Sequence, residues 1–202
     1  MSAATTTKGE LTRSAIIEAA HQLFITRGYS ATSMRKIAQK TGIALGGIYN
    51  HFASKEEIFE AVFIENHPYL EMIPAIESAQ GATIEEFVRN AAQQMMNAMQ
   101  SRPDFLNLMF IEIVEFKSVH AQEIFTETLP RGIGIVEQIS SKEGNLRPIP
   151  TPILIRTFIG LFFSYYLTES IFGQVAPPEF QQDAIEYYVD VFLHGILASE
   201  NK

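Results

Sequence analysis

The sequence has no cysteine. That excludes disulfides, thiolate zinc centres and cysteine nucleophiles, and it favours a reducing compartment. Nor is there an apolar run long enough to cross a bilayer. The most hydrophobic stretch, near Ile153 to Phe172, offers only twelve uncharged residues between Arg156 and Glu169, against the ~20 a span needs. The first residues, MSAATTTKGELTR, are polar and read against a secretory leader. No period-2 strand pattern of useful length, internal repeat, low-complexity tract or flexible linker is visible. Nucleophile elbows, phosphate loops and dinucleotide fingerprints are likewise missing. A soluble, cytoplasmic, all-α protein is expected, with no catalytic residues, cofactor or metal.

What is present begins with the distribution of charge. The formal net charge is −8, which taken alone argues against nucleic acid. Residues 1–55, however, carry seven positive and two negative side chains, and the remainder eight positive and twenty-one negative. A basic head on an acidic body suits phosphate binding by one end of the molecule.

Apolar spacing reads as helix almost throughout. Ile16, Ala20, Leu23 and Phe24 form one stripe at helical period, and Gly28 stops that helix. Thr32 or Ser33 can cap a short second helix carrying Met34, Ile37 and Ala38 inward, which Gly42 ends. A third runs from about Leu45 to His51, and Ser54 caps a long fourth through Ile58, Phe59, Val62 and Phe63. Prolines and glycines punctuate the rest into amphipathic runs, giving about nine helices. Residues 1–55 are expected to form a DNA-binding helix-turn-helix domain and 56–202 a ligand-binding and dimerisation domain.

The decisive stretch is GYSATSMRKIAQKTGIALGGIYNHFASKEEIFEAV, residues 28–62. Two short helices joined by a tight turn need a small residue where they cross and a glycine where the chain reverses. Ala38 and Gly42 stand there, over a small core of Ile37, Ile43, Ile48 and Phe52. In register, Ile37-Ala38, Thr41-Gly42-Ile43, Gly47-Ile48-Tyr49, His51-Phe52 and Ser54-Lys55-Glu56-Glu57 resemble the TetR family of bacterial regulators over about residues 12–62. The resemblance implies a three-helix DNA-binding head on a helical body that dimerises and holds an effector. It also implies that Tyr49, His51 and Lys55 touch the operator backbone.

Physical chemistry assigns the neighbouring roles. Thr32 and Ser33 present hydroxyls and free N–H groups of a helix start to a phosphate. The fork of Arg35 suits a guanine edge, whereas Lys36 suits backbone phosphate. In the recognition helix, Ala44, Leu45, Gly46 and Gly47 carry no long polar side chain before Asn50. The two glycines cost about 1 kcal/mol each in helix propensity. Close approach to DNA, with Ala44 or Leu45 against thymine methyl groups, is a return for that cost, and selectivity then leans on Arg35, Asn50 and DNA shape.

In the body, the segment from Thr151 to Phe172 is apolar almost all round, with Gly160 and Ser164 spaced to admit another helix. The last helix places Tyr188 and Phe192 on one stripe. These four are the expected dimer interface, as part of a four-helix bundle across a two-fold. A greasy effector is expected against Met95, Met99, Met109, Phe110, Phe116, Phe125, Phe162 and Tyr166. Glu112, at the edge of an apolar face, either meets a polar group of that effector or forms a salt bridge. Glu115 reads as solvated. The rival reading is a helical metal- or ligand-binding protein or enzyme without DNA binding. Its best evidence is His67 and Glu71, one helical turn apart.

Overall fold

In the computed structural model the described residues are 7–173, 175–177 and 184–197. They form ten helices: α1 Lys8–Arg27, α2 Met34–Thr41, α3 Leu45–Tyr49, α4 Lys55–Asn66, α5 Tyr69–Glu77, α6 Ile84–Gln100, α7 Phe105–Phe116, α8 Val119–Ser140, α9 Thr151–Phe172 and α10 Ala184–Ile196. Two isolated backbone bridges are the only extended pairing among the described residues. No helix there is long and apolar enough to cross a membrane. The chain is all-α. The separate α5 arises because Pro68 forces His67 into extended backbone, ψ 130°, so α4 ends at Asn66.

Two compact units share the chain. One comprises Met1–His67 with Asp104–Ile124, the other Pro68–Pro103 with Phe125–Lys202. The unit holding the basic residues 1–55 thus also takes in the rest of α4, all of α7 and the start of α8.

In the first unit, the helix ends follow local chemistry. Thr7 and Glu10 form a reciprocal capping box on α1. Ser33 caps α2 by accepting the N–H of Lys36, and Gly42 turns the chain out of α2 with φ 74° in the left-handed region. Ser54 caps α4. The stripe Ile16, Ala20, Leu23 and Phe24 is buried, as are Ile37, Ala38, Ile48, Phe52, Ile58, Phe59, Val62 and Phe63, and α1 packs on α2 and α4. Each such large side chain contributes roughly 1.5–3 kcal/mol by leaving water, and this fixes the angle between α2 and α3.

The second unit is built on α6, capped by Thr83, which buries Phe87, Val88, Ala91, Ala92, Met95 and Met99. Packed around that face are α5, α9 and α10. Arg131 of α8 clasps both carboxylate oxygens of Glu77 at 2.8 and 2.5 Å, and Arg89 pairs with Glu186 of α10.

Candidate nucleic-acid interface

Burying Ile37 and Ala38 inward turns the opposite face of α2 to solvent. Ser33, Arg35 and Lys36 are all exposed. The start of α2, like any helix N-terminus, presents N–H groups suited to an anion. Thr32 departs from expectation. It is only 3% exposed and its hydroxyl donates to the Gly28 carbonyl at 2.9 Å. Its side chain therefore locks the loop between α1 and α2 and is withheld from phosphate.

The recognition helix α3 is a single turn, anchored by wholly buried Ile48. Ala44, Gly46, Tyr49 and Asn50 are exposed, while Leu45, Gly47 and His51 are half-buried. Around the Cβ positions of Gly46 and Gly47 there is open space to 4 Å, the clearance that close approach to a DNA backbone requires. Lys55 is half-buried at the start of α4, and its Nζ donates to the Tyr29 carbonyl at 3.0 Å. Lys36 Nζ donates to the Ala31 carbonyl at 2.5 Å. Both ammonium groups are thus gathered at the loop just before the α2 N-terminus. Tyr29, which the pattern of apolar spacing passes over, is the residue that organises this corner. Its hydroxyl donates to Glu56 at 3.2 Å. Burial first, then the Glu56 and Glu115 carboxylates, push its pKa well above the ordinary tyrosine value.

The residues expected to hold an effector are divided between the two units. Phe116 belongs to the first unit, stacked on Phe59 with ring centroids 4.5 Å apart. Glu112, in the same unit, is fully buried and pairs with His120, the salt bridge expected as the alternative to a ligand contact. Met109 is half-buried, whereas Phe110 and Phe125 are 53% exposed. Met99, Phe162 and Tyr166 are buried in the second unit. That unit contains a cavity of about 80 Å³ lined solely by apolar residues of α5, α6, α8, α9 and α10, among them Met72, Phe87, Ala91, Met95 and Phe158. Of the expected ligand residues, only Met95 lines it. Phe192 lines it as well, at 4% exposure, and packs on Phe158 and Phe162. It therefore belongs to the interior of its own chain, not to the outer face on which a dimer would form. Gly160 and Ser164 are exposed, and Tyr188 is half-buried against Tyr165.

Glu115, expected to be solvated, is exposed but accepts a hydrogen bond from Ser30 at 2.7 Å. Of the rival pair, Glu71 is committed to Arg102 and Ser101 at 2.5 and 3.0 Å. His67 packs between the rings of Phe63 and Phe105. Among the described residues no group of three or more His, Cys, Asp or Glu is placed to hold a metal ion.

Two short helices at a fixed turn, the second lying on its buried face with polar and glycine positions outward, define a helix-turn-helix regulator that binds DNA. The sequence profile of bacterial regulatory proteins of the tetR family matches residues 16–62. The HTH-type transcriptional regulator YvkB of Bacillus subtilis is 21% identical over 93% of this chain and 98% of its own length. SrpR of Pseudomonas putida, also an HTH-type transcriptional regulator, is 36% identical over 36% of this chain and 34% of its own. Among solved structures, NalD, the secondary repressor of the MexAB-OprM multidrug efflux pump in Pseudomonas aeruginosa, shares the fold with a TM-score of 0.65. That match has 19% identity and covers 96% of this chain and 100% of that one. Residues 16–62 thus match the DNA-binding region of the tetR family, and the relatives matched are named as transcription regulators.

Proposed function

We propose that this protein is a cytoplasmic homodimeric repressor that leaves its operator when a small, largely apolar effector enters the second unit. The observation that carries the reading is the exposed set Ser33, Arg35, Lys36, Tyr49 and Asn50, held over the buried Ile37, Ile48 and Phe52. All the proposed DNA contacts fall within residues 1–55, and residues 56–202 supply effector and partner binding. Arg35 and Asn50 read base edges, while Ser33, Lys36, Tyr49, His51 and Lys55 meet phosphate.

A dimer is favoured by what α9 and α10 leave uncovered. On α9, Ile153, Ile171 and Phe172 are more than half exposed, on a face where Gly160 has open space to 4 Å; on α10, Tyr187 and Val191 are 70% and 64% exposed. Apolar faces of this kind are covered by a second copy in helical regulators that bind two half-sites about 34–36 Å apart.

For the effector, the cavity has no polar lining group, so burying a hydroxyl or charge there would leave it unsatisfied. Its volume of about 80 Å³ lies far below the roughly 300–1,000 Å³ of a drug-sized pocket. A narrow hydrocarbon group is what it admits without rearrangement. Repression is the mode that NalD carries in its name. The test is a gel shift on DNA from upstream of the protein's own gene, titrated with small apolar compounds that raise its melting temperature. Effector and DNA are expected to weaken each other by the same factor. A tightly held compound that leaves DNA affinity unchanged would overturn the release mechanism.

A further inference from the structure

The loop between α1 and α2 is fastened from two directions, and Tyr29 stands at the junction. Its ring, 8% exposed, meets Phe24 at 5.3 Å, Phe59 at 5.5 Å and Phe116 of α7 at 5.0 Å. On the ring lies Lys55, with Nζ 3.8 Å from the centroid. The same ammonium donates to the Tyr29 carbonyl. The next residue, Ser30, donates to Glu115 of α7 at 2.7 Å. At the other end of α7, Asp104 lies 3.2 Å from Nε2 of His21 on α1. Helix α7 is thus tied to the DNA-binding head at both ends, and at its C-terminal end Phe116 also stacks nearly parallel on Phe59.

The chemistry of these ties differs in one useful respect. A carboxylate partner would neutralise Lys55 and compete with DNA. A ring face and a carbonyl orient an ammonium while leaving its full charge for a phosphate. Among the described residues no carboxylate lies within ion-pair distance of Lys55. The carbonyl that receives Lys55 belongs to Tyr29, four residues before the Ser33 cap of α2, so the charge is held at the loop that leads into that helix start.

We infer that Tyr29 is a positioning residue for operator binding, holding Lys55 ready for a phosphate, and that α7 holds Tyr29 in place through Phe116 and Glu115. This rests on Lys55 meeting a phosphate, so the experiment tests that step separately. Binding of the full-length protein to DNA from upstream of its own gene is measured by anisotropy across a range of salt. One lost phosphate contact lowers the slope of log K against log salt by about 0.9.

Lys55→Ala is expected to show that loss; an unchanged slope overturns the phosphate role and the inference with it. Tyr29→Leu is expected to lose the same amount, with no further loss in the Tyr29→Leu/Lys55→Ala double variant. Tyr29→Phe, which keeps the ring, is expected to retain the slope. If Lys55→Ala lowers the slope and a folded Tyr29→Leu protein does not, Tyr29 is a packing residue only and the inference fails. Should Tyr29→Leu not fold, the exposed Glu115→Ala decides. Removing a negative charge tightens DNA binding by electrostatics alone, whereas loss of positioning weakens it severalfold. Tighter or equal binding by Glu115→Ala overturns the role of α7.

Discussion

The carboxylate of Glu112 has no exposed surface and lies 2.8 Å from Nδ1 of His120, eight residues further on. Its other oxygen accepts the backbone N–H groups of His120 and Ala121 at 2.8 and 3.2 Å. Those N–H groups open α8 and have no partner within the helix. Between the two residues the chain turns through Lys117 and Ser118, both in the left-handed region at φ 54° and 65°. For residues with a side chain that costs about 1–2 kcal/mol each, and the buried carboxylate offsets it. Glu112→Ala is expected to lose about 3–5 kcal/mol in urea unfolding, and Glu112→Gln, which keeps an acceptor, less. A Glu112→Ala protein within about 0.5 kcal/mol of wild type would show that the turn holds itself.

His67 gives the first unit an acid weakness. Burial pushes its pKa down to about 4, against an ordinary 6.5, so the folded state keeps it neutral where the unfolded chain takes up a proton. Its contribution is therefore fully present above about pH 6.5 and lost as pH falls toward 4. The shift corresponds to about 3 kcal/mol. His67→Phe is expected to flatten the fall in melting temperature between those pH values. An equal fall in both proteins would assign the acid sensitivity elsewhere.

Two substitutions separate the proposed dimer face from the core beneath it. Gly160→Leu enters open space within its own chain and is expected to leave the helices intact while weakening the dimer, seen as monomer in sedimentation velocity. Phe192→Asp places a charge at a position 4% exposed and is expected to unfold the second unit. A Gly160→Leu protein that stays dimeric at the lowest concentration measurable would move the interface off this face.

Ala91 lines the cavity and is 2% exposed. Ala91→Phe is expected to fill the space, at a cost of roughly 1–3 kcal/mol in strain. It should abolish thermal stabilisation by small apolar compounds and leave DNA affinity within about twofold of wild type. Retained stabilisation by the same compounds would place the effector elsewhere.

Much of the head is legible in the sequence because its determinants are local. Ile37, Ile48 and Phe52 lie within sixteen residues of one another, and Ser33, Gly42 and Ser54 mark the helix ends between them. The body is less legible. Helical spacing says that Met95, Phe116 and Phe192 each lie on an apolar face, but not what covers it. Met95 and Phe192 line one cavity, while Phe116 packs into the other unit. Thr32 and Ser33 are adjacent hydroxyls of equal capping ability, and only the fold of the α1–α2 loop turns one inward. Tyr29 gives no signal beyond an aromatic after a glycine, since its partners Lys55 and Phe116 are 26 and 87 positions away.

Sequence-specific binding of duplex DNA through the head is the claim on which the rest depends. The most direct measurement is the affinity of the full-length protein, at physiological salt, for DNA from upstream of its own gene and for a scrambled duplex of the same composition. The expected ratio is about 10³ or more, with Arg35→Ala costing about 1–3 kcal/mol on the first duplex and little on the second. Equal affinity for the two duplexes, or an Arg35→Ala loss that is the same on both, would contradict base reading by this head.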